Sequence, residues 1–148
     1  MSTSPSAGQT KRPPPEPRIT IDLPAGQREL FMSFGLLKEL AAVVGGPEAI
    51  PKIHFDPDTT QVVLTLVLAK RDKRGVIQKP GEDDDAIIPY DMTPEAGEQI
   101  LDWVAAHALD FFIRRFANSS KLFATQADQL AAVGSSLISS ATSPGKTA

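Results

Sequence analysis

The stretch that most constrains this chain is residues 93–116, Thr-Pro-Glu-Ala-Gly-Glu-Gln-Ile-Leu-Asp-Trp-Val-Ala-Ala-His-Ala-Leu-Asp-Phe-Phe-Ile-Arg-Arg-Phe. It opens with a capping Thr93 followed by Pro94, whose fixed φ suits the first helical position and whose missing N–H costs nothing there. Glu95 and Glu98 suit the positive end of the helix dipole, and Arg114 and Arg115 suit the negative end. Leu101, Val104, Ala105, Ala108, Leu109, Phe112 and Phe116 recur at steps of three and four, which makes one apolar face. Trp103, Phe111 and Ile113 lie off that face, so the helix is apolar round more than half its circumference. The expectation is that Leu101, Val104, Ala108 and Phe112 face a core, and that Trp103, Phe111 or Phe116 contact something else.

The rest of the chain reads as material that packs on this helix or delivers the chain to it. Residues 1–17 are rich in Ser, Thr and Pro and end in Lys-Arg-Pro-Pro-Pro-Glu-Pro. Such a run excludes helix and favours polyproline II, so it reads as a disordered arm. A ligand for an SH3-like groove is the sharper alternative. Arg18 to Leu23 alternates polar and apolar residues and predicts a short strand, ended by Pro24-Ala25-Gly26. Residues 28–44 predict the first helix, with Leu30, Phe31, Phe34, Leu37, Leu40, Ala41 and Val44 on one face, and Gly45-Gly46 stops it. Gly35 within it predicts close approach of a neighbouring backbone. Residues 47–55 are a connector. Asp56-Pro57 is a helix start, and it favours helix over buried strand for the β-branched run Gln61-Val62-Val63-Leu64-Thr65-Leu66-Val67-Leu68. Val76-Ile77 and Ala86-Ile87-Ile88-Pro89-Tyr90 are candidates for a small hairpin around an acidic tip. Beyond Asn118-Ser119-Ser120 a weaker helix runs to Val133, and the remainder reads as a flexible tail. The fold class is therefore mainly α, with residues 18–133 as one mostly helical domain between an arm (1–17) and a tail (134–148).

Little of the residue chemistry points to catalysis. With 148 residues, a formal charge of -3 and no cysteine, the chain has room for one core, lacks the basic excess of a general nucleic-acid binder, and has neither disulfides nor thiolate chemistry. No apolar run approaches the ~20 residues of a membrane span. His54 and His107 lack the spacing of a metal pair and read as a surface and a helix-edge histidine. Glu82-Asp83-Asp84-Asp85 lacks the alternation and glycine of a calcium loop and reads as a solvated loop. Asp72, Asp102 and Asp110 are scattered carboxylates. Ser33, read within a helix, has no triad partners. Gly45-Gly46-Pro47 follows a helix, where a phosphate cradle precedes one. Lys70, Arg71, Lys73 and Arg74 lack the interleaved aromatics of a nucleic-acid surface and read as a solvated turn. The reading is of a non-enzyme that needs no cofactor. What stands out is surplus apolar surface, which nominates Phe31, Phe34, Leu36, Trp103, Phe111 and Phe116 as partner contacts.

Three segments carry a resemblance: Phe31-Met32-Ser33-Phe34-Gly35-Leu36-Leu37-Lys38-Glu39-Leu40, the Asp-Pro helix running into Lys70-Arg71-Asp72-Lys73-Arg74-Gly75, and Leu101-Asp102-Trp103-Val104-Ala105-Ala106-His107-Ala108-Leu109-Asp110-Phe111-Phe112. In order and texture the chain resembles tail assembly chaperones of long-tailed bacteriophages. The resemblance implies a mostly helical protein that coats the tape measure protein in the host cytoplasm until tail tube protein subunits polymerise, and is absent from the finished virion. Self-association fits such a role. Many such chaperones are also made in a frameshifted longer form, and codons at Gly145-Lys146 would permit such a slip; the residues leave open whether this chain has one.

Overall fold

The computed structural model describes residues 13–81 and 86–141, with the backbone alone from residue 136. The chain divides into two units, Met1–Phe112 and Ile113–Ala148. It is mainly helical, with one two-stranded antiparallel hairpin. Strand β1 (Arg18–Leu23) pairs with β2 (Gly26–Phe31), Arg18 opposite Phe31 and Leu23 opposite Gly26. Four helices follow: α1 (Phe34–Val44), α2 (Lys52–Phe55) after a 3-10 turn at Pro47–Ala49, α3 (Pro57–Leu68) and α4 (Pro94–Ala141).

The hairpin corrects the expected helix over residues 28–44. Its first part is strand, and the helix starts only at Phe34. Ile19 and Ile21 face inward opposite Leu30 and Arg28, and Ile21 and Leu30 are buried. Leu30 fits both a helical and a two-residue period; the pairing with β1 decides between them. Gly26, with φ 127°, makes the reversal that residues with a Cβ rarely adopt. Ser33 is the cap of α1, not an interior residue: its Oγ accepts the Leu36 N–H at 3.1 Å. Gly45, at φ 90°, donates its N–H to Ala41 and ends the helix as expected. Gly35 has no neighbouring backbone against it, contrary to the expected close approach; a Cβ there would meet only Ser33 Oγ at 4.0 Å.

Residues 61–68 are helical as preferred. Asp56 accepts from the Thr59 N–H at 3.1 Å and the Thr59 hydroxyl at 2.6 Å, with Pro57 in the first turn. Val63, Leu64, Val67 and Leu68 make the buried face. Thr60 Oγ1 donates to the Ile53 carbonyl at 2.6 Å, which fixes α2 on α3. Arg28 of β2 reaches the Leu68 carbonyl at 2.8 Å, one of the acceptors that the end of α3 leaves without an intrahelical partner. Partial burial of this guanidinium lowers its pKa from the ordinary value. Arg71 holds Glu39 of α1 at 2.9 Å, the Leu66 carbonyl at 3.2 Å and the Gly75 carbonyl at 3.0 Å. The expected second hairpin is absent among the described residues: Arg71 forms an isolated bridge with Ile77, and residues 86–90 form no strand. The acidic tip at residues 82–85 lies outside the described residues.

The core of the first unit gathers Ile21, Leu30, Leu40, Ile53, Val63 and Leu68 around Ile100, Leu101, Val104 and Ala108 of α4. Ala96 is buried on the same helix, where its N–H donates to Thr93 Oγ1 at 3.2 Å. Asn118-Ser119-Ser120 does not interrupt α4, which runs to Ala141. The predicted start at Thr93-Pro94 holds, and the predicted break does not. Single Asn and Ser residues lower helix propensity by only tenths of a kcal/mol each.

Two expectations follow. Ile100 is fully buried, so Ile100→Ala should cost about 2–5 kcal/mol in chemical denaturation, against almost nothing for an exposed apolar-to-Ala control. The Thr59 hydroxyl, its N–H and Lys52 hold the Asp56 carboxyl below its ordinary pKa. A folded-state pKa below the unfolded value gives stability that is complete above the unfolded pKa and lost as the pH falls through the folded one. The stability gap between wild type and Asp56→Ala should therefore be constant at neutral pH and narrow below about pH 4.

Candidate interaction surface

Among the described residues the sheet has two strands, so one edge of β1 pairs with no other strand. The Pro17 carbonyl accepts the Met32 N–H at 2.8 Å and so continues the ladder toward β2. In an extended chain the alternate carbonyls then point away from β2, and two of these are claimed by side chains of α4. Gln99 Nε2 donates to the Thr20 carbonyl at 3.2 Å. Trp103 Nε1 and His107 Nε2 both lie 2.7 Å from the Glu16 carbonyl. A carbonyl only accepts, so His107 carries its proton on Nε2, and the two lone pairs of one oxygen are shared by two ring donors. The donors recur at steps of four along one face of α4. Trp103 and His107 also meet edge to face, with centroids 5.3 Å apart. The proline-rich segment is thus docked at residues 16–17, where the sequence predicted the end of a disordered arm.

This geometry corrects two residue assignments. Trp103 is buried, at 6% exposure, and is a clasp on the arm, so its ring is not offered outward. His107 is buried beside it and is not a helix-edge residue. His54 Nε2 lies 2.8 Å from Asp102 Oδ1, on a partly exposed surface where such a pair adds little stability. No group of three or more His, Asp or Glu side chains suited to a metal ion exists among the described residues. None of the described helices is long and apolar enough to cross a membrane.

Of the other nominated contacts, Phe31 and Phe34 are exposed, at 48% and 62%. Each ring carries a cation: the Arg18 guanidinium sits 4.5 Å from the Phe31 centroid, and the Lys38 ammonium 5.7 Å from that of Phe34. Arg18 also pairs with Glu29 at 3.0 Å. Leu36 is half-buried on the margin of the core. Phe31, Ser33 and Leu36 line a depression of about 510 Å³ beside β2, together with Lys70 and Arg71. A second depression, of about 520 Å³, shares Arg28, Lys70 and Gln78 with it. Phe111 is half-buried, its ring edge-on to Phe112 with centroids 5.7 Å apart. In the second unit Phe116 is 75% exposed. The carbonyl clasp was missed in the sequence because a tryptophan and a histidine four apart look like packing; only Glu16 between two prolines, whose carbonyl lies outside helix and ladder, hints at donors elsewhere.

No family model, curated protein or solved structure matches the chain.

Trp103 is the sole tryptophan, so its fluorescence reports the clasp. Removing residues 1–17 should shift its emission to the red as the indole is hydrated. Trp103→Phe should destabilise the protein by about 1 kcal/mol through the lost hydrogen bond and speed proteolysis of the arm. Unchanged emission on truncation would contradict the docked geometry.

Proposed function

We propose that the chain is a non-enzymatic tail assembly chaperone. It holds apolar helical segments of the tape measure protein in the host cytoplasm, yields them to polymerising tail tube protein subunits, and is absent from the mature virion. The resemblance supplies the identity of the client. The observation that carries the binding surface is the exposed pair Phe31 and Phe34, each under a cation, with Phe31 on the rim of a depression that includes Leu36. Aromatic rings give a client's apolar stripe a flat surface to cover, and Arg18, Lys38 and Lys70 favour carboxylates flanking that stripe. Weak contacts repeated along a long client are strong together and can still be displaced one at a time.

Co-expression with the adjacent tape measure protein should keep that protein soluble and give a complex in pull-down. Phe34→Glu should leave the melting temperature within a few degrees of wild type, because the ring is exposed, and should weaken the complex at least tenfold. Purified particles should lack the chain by mass spectrometry. Absence of a complex, or stoichiometric presence in particles, would overturn the reading; the latter would make the chain a structural subunit.

A further inference from the structure

In the second unit, Ile113, Phe116, Phe123 and Leu130 are 46%, 75%, 67% and 70% exposed. With the residues between them they form a seam whose steps alternate between three and four: Ile113, Phe116, Ser120, Phe123, Ala127, Leu130, Gly134. This is a heptad spacing, the one that lets two helices stay in contact over several turns. From Phe116 onward, size alternates along it. The large residues are Phe116, Phe123 and Leu130, and the small ones are Ser120, Ala127 and Gly134.

Gly134 is the informative member. Glycine is the costliest residue in a helix interior apart from proline, and a Cβ at 134 would meet nothing within 4 Å. Nothing in the packing of the described residues requires a glycine there.

We infer that this segment pairs antiparallel with the same segment of a second copy. Heptad geometry in the antiparallel register sets Phe116 against Gly134, Phe123 against Ala127 and Leu130 against Ser120, so each of these layers holds one large and one small residue. A parallel pair stacks Phe116 on Phe116 and Gly134 on Gly134, which overfills one layer and empties another. Ala117, Ala124 and Ala131, each seven apart, flank the seam on one side and let the two backbones approach. Ala124 then faces its own copy across the two-fold axis. That volume matching selects a second copy over an unrelated helix. The inference goes beyond the client reading and stands without it; where both hold, each assembly carries two client surfaces.

Light scattering on the full chain at micromolar concentration should give about twice the 15.8 kDa protomer mass. Gly134→Leu raises helix propensity but fills the space opposite Phe116, and should weaken the dimer at least tenfold. Adding Phe116→Ala should restore it. Because the chain has no cysteine, Ala124→Cys should cross-link two copies on oxidation, and Ala127→Cys should not. A monomer at all concentrations, a Gly134→Leu dimer as tight as wild type, or cross-linking through Ala127 in place of Ala124 would each overturn the inference.

Discussion

The first unit depends on α4 holding the outer side of β1 and the segment that leads into it. A two-stranded hairpin is barely stable alone in water, and an open strand edge invites pairing with other chains. Here Gln99, Trp103 and His107 take the outward carbonyls of Thr20 and Glu16. The inward face of the same hairpin packs Ile21 and Leu30 onto the helical core. The helix therefore serves the hairpin twice, with apolar side chains beneath the sheet and polar tips along its edge. Among the described residues no buried side-chain polar atom lacks a partner, the condition under which buried donors add stability.

Two arginines extend the same logic to the other helices. Arg28 ties β2 to the carbonyl end of α3, and Arg71 ties that end to α1 through Glu39. Cations near the last turn of a helix meet both orphan carbonyls and the dipole. The basic cluster at residues 70–74 thus has a structural use for one of its members, Arg71. The outward apolar side chains of this unit include the cation-capped pair Phe31 and Phe34, and also Phe55, Val76 and Tyr90.

Much of this was legible in the residues. The Thr93-Pro94 start, the Asp56-Pro57 start and the Gly45 stop are local signals with local causes, and each appears where read. The failures have a common origin. Arg28 to Phe31 became strand because β1 is beside it, Trp103 became a clasp because Glu16 reaches it, and Asn118-Ser119-Ser120 stayed helical because their propensity costs are small. Each outcome depends on a partner distant in sequence, or on a sum over many residues, and a local pattern contains neither. The exposed rings of Phe31, Phe34 and Phe116 were read from surplus alone, and the structure places them at the surface.

A closed body and an open apolar seam should differ in how their backbone amides are protected. Hydrogen exchange followed across a dilution series tests this most directly. Protection of residues 94–112 should be independent of concentration, since their partners lie within the chain. Protection of residues 113–135 should rise with concentration and saturate as a second copy covers the seam. A seam equally protected at every dilution, or never protected, would contradict the account.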